Sequence, residues 1–292
     1  MAGLQNLKKK LRSIRATGQL AGAMKTVSAA KYSKIGALNE AYAGYAQAAR
    51  ALRERFGRDL ASAMPCGNPD APDGYLVLSS NRGLCGGYNN ELLAEAMRRL
   101  RESPRPWLLM TGGKVAETFF QSKGLPIHRA FRVPDVPGYA DVQALCTELL
   151  EAYRSGEISS VRLVYQHFQN VLTQLPHVET LLPFAAGEDV GKESAEASHH
   201  GAAEGSPAAD TVLCLPDRRT VVRAAGLTCF QSGVYAAVLE AAAGAQAATM
   251  MAMRSAYDNA EETSARLELE LNRRRQSEVT AGVIETSSDF EQ

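Results

Sequence analysis

The stretch YLVLSSNRGLCGGYNN, residues 75–90, contains the most informative local pattern in the chain. An apolar run at 75–78 ends in a segment rich in serine and glycine, and a helical pattern follows from Asn89 to about Arg101. A short apolar strand, a tight glycine turn and a helix form the repeating unit of parallel α/β sheets. The stretch therefore predicts the first unit of such a sheet.

The same order recurs twice further along the chain. Apolar runs at Trp107–Met110 and Val161–Tyr165 have the composition of strands, and helical patterns end near Ser122 and Arg154. Strands that alternate with helices pair in parallel, because each crossover helix returns the chain to the same end of the sheet. The middle of the chain is therefore predicted to be a Rossmann-like α/β domain.

Two further features follow the last of these strands. Runs at 171–173 and 178–182 flank Pro176 and predict an antiparallel edge of the sheet, where proline is tolerated. Residues 186–210 consist mainly of Gly, Ala, Glu, Ser and His without periodicity. This composition predicts a mobile surface loop.

Both ends of the chain predict long helices. Residues 3–57 and 226–286 lack proline and are rich in helix formers. At 1.5 Å per residue each helix would be roughly 80–90 Å long, so each needs a partner helix to cover its apolar stripe. The predicted stripe of the first helix begins with Leu4, Leu7, Leu11 and Ile14 at spacings of three and four, and it continues through Leu20, Met24, Val27 and Lys31.

The predicted fold class is thus α/β, with a long antiparallel coiled coil of the N- and C-terminal helices and an inserted Rossmann-like α/β domain. The predicted shaft comprises residues 1–60 and 226–292, and the predicted head comprises 70–225. Small residues on the shaft leave two interpretations open, close approach of two backbones or a local kink. They are Gly18, Ala21, Gly22, Ala23, Ala241, Gly244, Ala245 and Ala248.

Composition excludes several classes of protein. The formal net charge of +0 argues against a general nucleic-acid binder, and 45% apolar residues suffice for a core. The cysteine count is odd and no Cys-x-x-Cys motif occurs, so we expect reduced thiols. We expect no membrane-spanning segment and no signal peptide. Adjacent His199 and His200 would make only a weak metal site, so no metal, cofactor or catalytic residue is predicted.

The glycine motif at 82–87 has two interpretations. A glycine turn between a strand and a helix can hold a phosphate at the helix N-terminus. However, the motif is neither Gly-x-Gly-x-x-Gly nor a P-loop, because the terminal Lys-Ser/Thr is missing. The favoured interpretation is structural: Gly83, Gly86 and Gly87 shape a tight connection.

Three segments resemble the ATP synthase gamma family. Residues 23–31, AMKTVSAAK, resemble its Ala-Met-Lys-x-Val-Ala-Ala-x-Lys signature, and 82–89 resemble its Arg-Gly-Leu-Cys-Gly-x-x-Asn motif, with Asn81 in place of the usual Asp. Residues 272–280 resemble the closing signature of the family. Order and spacing agree over essentially the whole chain.

The resemblance implies a rotor without catalytic activity of its own. In that family the coiled coil turns inside a ring of alpha and beta subunits, and the head contacts the epsilon subunit and the membrane c-ring. By similarity, Arg275, Gln276 and Thr280 contact the beta subunits, with Met24 and Lys25 nearby on the opposing helix. The implied location is the cytoplasmic face of a bacterial plasma membrane, reached only through the complex.

Some segments depart from the family pattern. Leu20–Gly22 stands where the family has Ile-Thr-Lys/Arg, and 244–249 lacks a usual Ser-Glu-x-x-Ala-Arg. Without the resemblance, the charges at 273–280 would be interpreted as a solvated helix face. Two alternatives therefore stay open: an α/β nucleotide-binding protein or enzyme with a dimerisation stalk, and a diverged coiled-coil scaffold without a rotary role.

Overall fold

A computed structural model describes residues 2–184 and 214–289. The segment interpreted as a mobile loop, 186–210, lies outside these described residues. Helices and strands alternate between two long terminal helices. In chain order the elements are α1 (Ala2–Ala63), β1 (Asp73–Leu78), α2 (Tyr88–Glu102), β2 (Trp107–Gly112), α3 (Lys114–Ser122), β3 (Arg129–Phe131), α4 (Tyr139–Ser155), β4 (Ser160–Phe168), β5 (Gln174–Leu182) and α5 (Arg218–Asp289).

The two terminal helices are longer than the sequence pattern predicts. Helix α1 has 62 residues and ends shortly before Pro65, which disfavours helical backbone in the residue before it. Helix α5 has 72 residues and begins at Arg218 rather than near 226. Its first turn is capped by Asp217, whose carboxylate accepts the backbone N–H of Thr220 at 2.9 Å. The β-branched residues of that turn have a lower helix propensity, so the sequence pattern did not indicate that the helix begins there.

The sheet has five strands in the order β3-β2-β1-β4-β5. Strands β1 to β4 are parallel neighbours and β5 is antiparallel to β4, as the strand and glycine patterns predict. Two details differ from the prediction. Strand β3 has only three residues, too few for a periodic pattern, and 171–173 forms the turn before β5. In that turn the Asn170 side chain accepts the N–H groups of Leu172 and Thr173.

The alternating side chains of β1 supply two separate cores. Leu76 and Leu78 face one cluster, which includes Leu163 of β4 and residues of α1, α4 and α5. Tyr75 and Val77 face the other cluster, which includes residues of α2 and α3. All six residues of β1 are buried. Both faces of the sheet are therefore covered, as continuous apolar runs in parallel strands require.

The chain divides into two compact units, and both long helices contribute to each of them. The paired-helix unit comprises residues 1–30 and 249–292, and the sheet unit comprises 31–248. The predicted domain boundaries lie instead at the ends of the long helices. They assign 1–60 and 226–292 to the shaft and 70–225 to the head. That division stays a prediction about domains, and the contacts below are described unit by unit.

In the paired-helix unit, α1 and α5 run antiparallel. Arg15 forms an ion pair with Glu268, and Lys25 lies 5.2 Å from the ring centroid of Tyr257. A Cβ on Gly18 would lie 3.0 Å from the Cβ of Ala260. Residue numbers rise on one helix as they fall on the other, which confirms the antiparallel coiled coil predicted from the two proline-free segments.

The buried face of α1 in this unit follows one heptad pattern throughout. The predicted stripe follows the same pattern up to Ile14 and departs from it from Leu20 onward. Leu20 and Val27, assigned to the stripe, are 61% and 54% exposed. Their neighbours Gly18, Ala21 and Ser28 are buried instead. The prediction followed large apolar side chains, whereas the inward positions carry small residues that allow close approach. For Gly18 the close-approach interpretation is therefore correct.

Candidate functional site

The glycine motif connects β1 to α2 in the sheet unit. Gly86 has φ +60°, where only glycine is free of strain, while Leu84 adopts φ +66° and leaves its side chain 63% exposed. Gly87 is the N-cap residue of α2 with φ −79°. A Cβ on Gly83 or Gly86 would meet no atom within 4 Å. Of the three predicted turn glycines, Gly86 is thus the one whose backbone requires glycine.

Asn89 holds this connection closed from the first turn of α2. Its Oδ1 accepts the backbone N–H of Ser80 at 3.2 Å, and its Nδ2 donates to the Cys85 sulfur at 2.9 Å. Both Asn89 and Cys85 are buried. The motif therefore folds around its own side chains, which supports the structural interpretation of the glycines.

Tyr88 points from the start of α2 to helix α5. Its hydroxyl donates to the Ala241 carbonyl at 2.7 Å, and its own carbonyl accepts the Gln166 amide at 2.9 Å. Burial raises the pKa of Tyr88, so the phenol stays protonated and can donate. Neither Tyr88 nor Gln166 was among the site residues predicted from the sequence. The available signal was a glutamine within the apolar strand β4.

Helix α5 covers the cleft at the carboxyl ends of the parallel strands. The cleft is lined on the sheet side by Leu78, Ser79 and Gly112, and on the helix side by Val238 and Ala241. In open α/β sheets this edge is where ligands bind. Here residues of α5 form one wall of that cleft, opposite the ends of the strands.

A polar network closes one side of this cleft. Lys31 of α1 forms an ion pair with Asp135 at 2.5 Å, and the Asn81 amide donates to Asp135 at 3.0 Å and to the Val133 carbonyl at 2.7 Å. Burial opposes ionisation of Asp135, but Lys31 and Asn81 outweigh it, and the pKa of this carboxyl is lowered. Two of the family-like motifs, at 23–31 and 81–89, therefore meet at one carboxylate.

The predicted partner-contact residues lie in the paired-helix unit at two separate levels. Arg275, Gln276 and Thr280 are exposed near the end of α5, whereas Lys25 lies against Tyr257. Tyr257 precedes Arg275 by about 27 Å along α5 at 1.5 Å per residue. The expectation that Met24 and Lys25 lie near Arg275 and Gln276 is therefore wrong. The antiparallel pairing places Lys25 against Tyr257, about 27 Å from Arg275 along α5.

Within residues 2–184 and 214–289, no group of three or more His, Cys, Asp or Glu side chains could hold a metal ion. His199 and His200 lie outside those ranges. All five cysteines are free. Helix α5 is long and apolar enough to cross a membrane by length and composition, which the sequence analysis did not expect. Half of its most apolar stretch is buried within the protein, as in a core helix.

Solved structures share this fold. The rotor of the Euglena gracilis mitochondrial ATP synthase contains a chain that matches with a TM-score of 0.62 and 14% identity, over 95% of this chain and 99% of that one. A chain of the Tetrahymena thermophila mitochondrial ATP synthase central stalk and c-ring matches with a TM-score of 0.58 and 20% identity, over 81% and 99%. At such identities the likeness concerns the fold alone.

Sequence comparisons carry the relationship further. A family model described as ATP synthase matches residues 3–291. The ATP synthase gamma chain of Moorella thermoacetica is 33% identical, over 98% of this chain and 97% of that protein. The gamma chain of Exiguobacterium sibiricum is 32% identical, over 99% and 98%. With its paired terminal helices and its sheet closed on α5, this chain belongs to the ATP synthase gamma family.

Proposed function

We propose that this chain is the central-stalk rotor of an F-type ATP synthase and has no catalytic site of its own. It transmits rotation of the membrane c-ring to the catalytic ring of alpha and beta subunits, and so couples ion translocation to ATP synthesis or hydrolysis. The observation that carries the proposal is the full-length match to gamma chains. Helix α5 forms one wall of the cleft where nucleotide-binding sheets hold their ligand, which supports the non-catalytic role.

The partners of the proposed rotor are the alpha, beta and epsilon subunits and the c-ring. The proposed location is the cytoplasmic face of a bacterial plasma membrane, with attachment through the complex alone. Bacterial relatives of 32–33% identity over nearly the whole chain support this location. No nucleic-acid partner is proposed, because the net charge is +0.

We assign contact with the beta subunits to two levels of the paired helices. Arg275, Gln276 and Thr280 form one level, and Met24 with Lys25 forms the other. Exposed ion pairs of this kind contribute only about 0–1 kcal/mol each. Weak contacts of this size break and re-form easily, as a shaft that turns inside a ring requires.

A tagged copy of the chain, expressed in its native host and purified from membranes, tests the proposal. We expect recovery of alpha, beta and epsilon subunits together with ATPase activity. The double variant Arg275→Ala/Gln276→Ala should reduce recovered subunits or ATPase activity, because it removes one level of contact. The control Arg266→Ala removes another exposed arginine of α5 and should leave both unchanged.

Three outcomes separate the hypotheses. Wild-type chain recovered alone would contradict the rotor function and favour the scaffold or the nucleotide-binding alternative. Normal ATPase activity and subunit recovery in the double variant would contradict only the contact assignment. Equal loss in Arg266→Ala and in the double variant would show that any arginine on this helix matters, and the assignment of Arg275 would fail.

A further inference from the structure

Tyr88 fits into a notch on the surface of α5 within the sheet unit. The notch is formed by Ala241, Gly244 and Ala245, and the Tyr88 ring packs with Ala245 in a small buried cluster. A Cβ on Gly244 would lie 3.1 Å from Cε2 of Tyr88 and 3.5 Å from Cγ of Gln174. The small residues at 241–245 therefore make room for the sheet unit's side chains, and not for a second helix.

The hydroxyl of Tyr88 adds a directional contact to this fit. It donates to the Ala241 carbonyl, which lies in the interior of α5 and has a second lone pair beyond the one used in the helix. Tyr88 is 4% exposed, so water does not compete for this bond. A buried ring in a notch resists both sliding of the helix and its rotation about its own axis, and the hydrogen bond adds to this resistance.

Tyr88 is itself anchored to the sheet. Gln166, which is fully buried on β4, donates its amide to the Tyr88 carbonyl at 2.9 Å. Asn89, the next residue, is tied to Ser80 at the end of β1. The tyrosine is thus fixed at its backbone by two strands and at its tip by α5.

We propose that Tyr88 is the positioning residue that fastens α5 to the α/β sheet, so that torque passes from the sheet unit into the helix. This inference rests on the proposed rotor function. Helix α5 is continuous from Arg218 to Asp289, so a rotation or slip at 241–245 is passed along the helix. Loss of the fastening lets the sheet unit and α5 turn by different amounts, which uncouples ion transport from ATP hydrolysis.

The test uses the assembled complex in sealed vesicles. The measured quantity is the ratio of ATP-driven ion uptake to ATP hydrolysis, for wild type, Tyr88→Phe and Tyr88→Ala. We expect the ratio to fall in Tyr88→Ala while hydrolysis continues, and to be largely restored in Tyr88→Phe, which keeps the ring in the notch. Amides at 241–248 should exchange about fivefold faster in Tyr88→Phe, the factor expected for loss of one ordinary hydrogen bond.

Tyr42→Phe is the matched control. Tyr42 is also a buried tyrosine that donates to a carbonyl of α5, that of Ser232, but from helix α1 instead of the sheet. It should lose similar stability and keep the wild-type ratio. A wild-type ratio in Tyr88→Ala, or an equal fall in Tyr42→Phe, would overturn the inference. Failure of the wild-type chain to assemble with ATPase subunits would instead overturn the rotor function.

Discussion

Asp135 shows how one half-buried carboxyl joins distant parts of the chain. It accepts from Lys31 and from Asn81, which lie 104 and 54 residues earlier in the sequence. A carboxylate at position 81 would repel Asp135, whereas the amide of Asn81 donates to it. The amide at 81 therefore strengthens this contact.

Asp135 should make stability depend on pH in the acidic range. Its folded-state pKa is lowered, so its contribution is present above the unfolded value of about 3.9 and is lost as pH falls through the folded value. We expect Asp135→Asn to lower the urea midpoint of the full chain at pH 7. The difference from wild type should shrink as the pH is lowered toward about 3.

The control for this prediction is Asp70→Asn, which changes an exposed aspartate of the same unit. It should shift the midpoint little at either pH. A difference between Asp135→Asn and wild type that stays constant from neutral to acidic pH would show that protonation of Asp135 does not matter. The contact would then be structural but not electrostatic.

At the scale of the elements, the glycines of α1 have unequal roles. Gly18 is buried against α5, with the Ala260 Cβ 3.0 Å from where its own Cβ would lie. Gly44 is exposed, and a Cβ there would meet nothing within 4 Å. Both glycines lie inside the helix, although glycine has a low intrinsic helix propensity. The structure accounts for glycine at 18, and nothing in it accounts for glycine at 44.

The same substitution at these two positions should therefore have opposite effects. Gly44→Leu should stabilise the chain by about 0.5–1 kcal/mol, because leucine is the better helix former. Gly18→Leu should destabilise it by about 1–3 kcal/mol through overpacking against α5. Thermal unfolding followed by circular dichroism measures both. A rise in the melting temperature for Gly18→Leu would contradict the close packing of the two helices.

At the scale of the whole molecule, the sheet unit has an architecture that also occurs in nucleotide-binding domains. At the carboxyl ends of β1 and β2, the cleft is lined on one side by Val238 and Ala241 of α5. A ligand at this edge would therefore lie against α5. The fold of a dinucleotide-binding domain does not by itself imply that activity.

We therefore expect the full chain to show no saturable heat of ATP binding by calorimetry at ligand concentrations up to about 1 mM, where a site worth roughly 4 kcal/mol would still be detected. Tyr88→Ala serves as a comparison, because it loosens α5 without adding any nucleotide ligand. Binding of ATP in the micromolar range by the wild-type chain would favour the nucleotide-binding alternative.

Local sequence patterns were enough to predict the type and order of nearly every helix and strand. Proline-free runs of helix formers indicated α1 and α5, and apolar runs before glycines indicated β1 and β2, because these preferences act over a few neighbouring residues. The antiparallel strand β5 was also evident, although its turn at 171–173 was taken for a strand. The motifs that resemble the family could also be identified from the sequence, because each consists of neighbouring residues.

Which faces of those elements meet became evident from the packed structure alone. Leu20 and Val27 are apolar, yet Gly18 and Ala21 lie inside, since close packing of two helices selects small residues over large ones. Tyr88 and Ala241 are 153 residues apart. Contacts across such separations depend on how helices and strands are stacked, which no local pattern records.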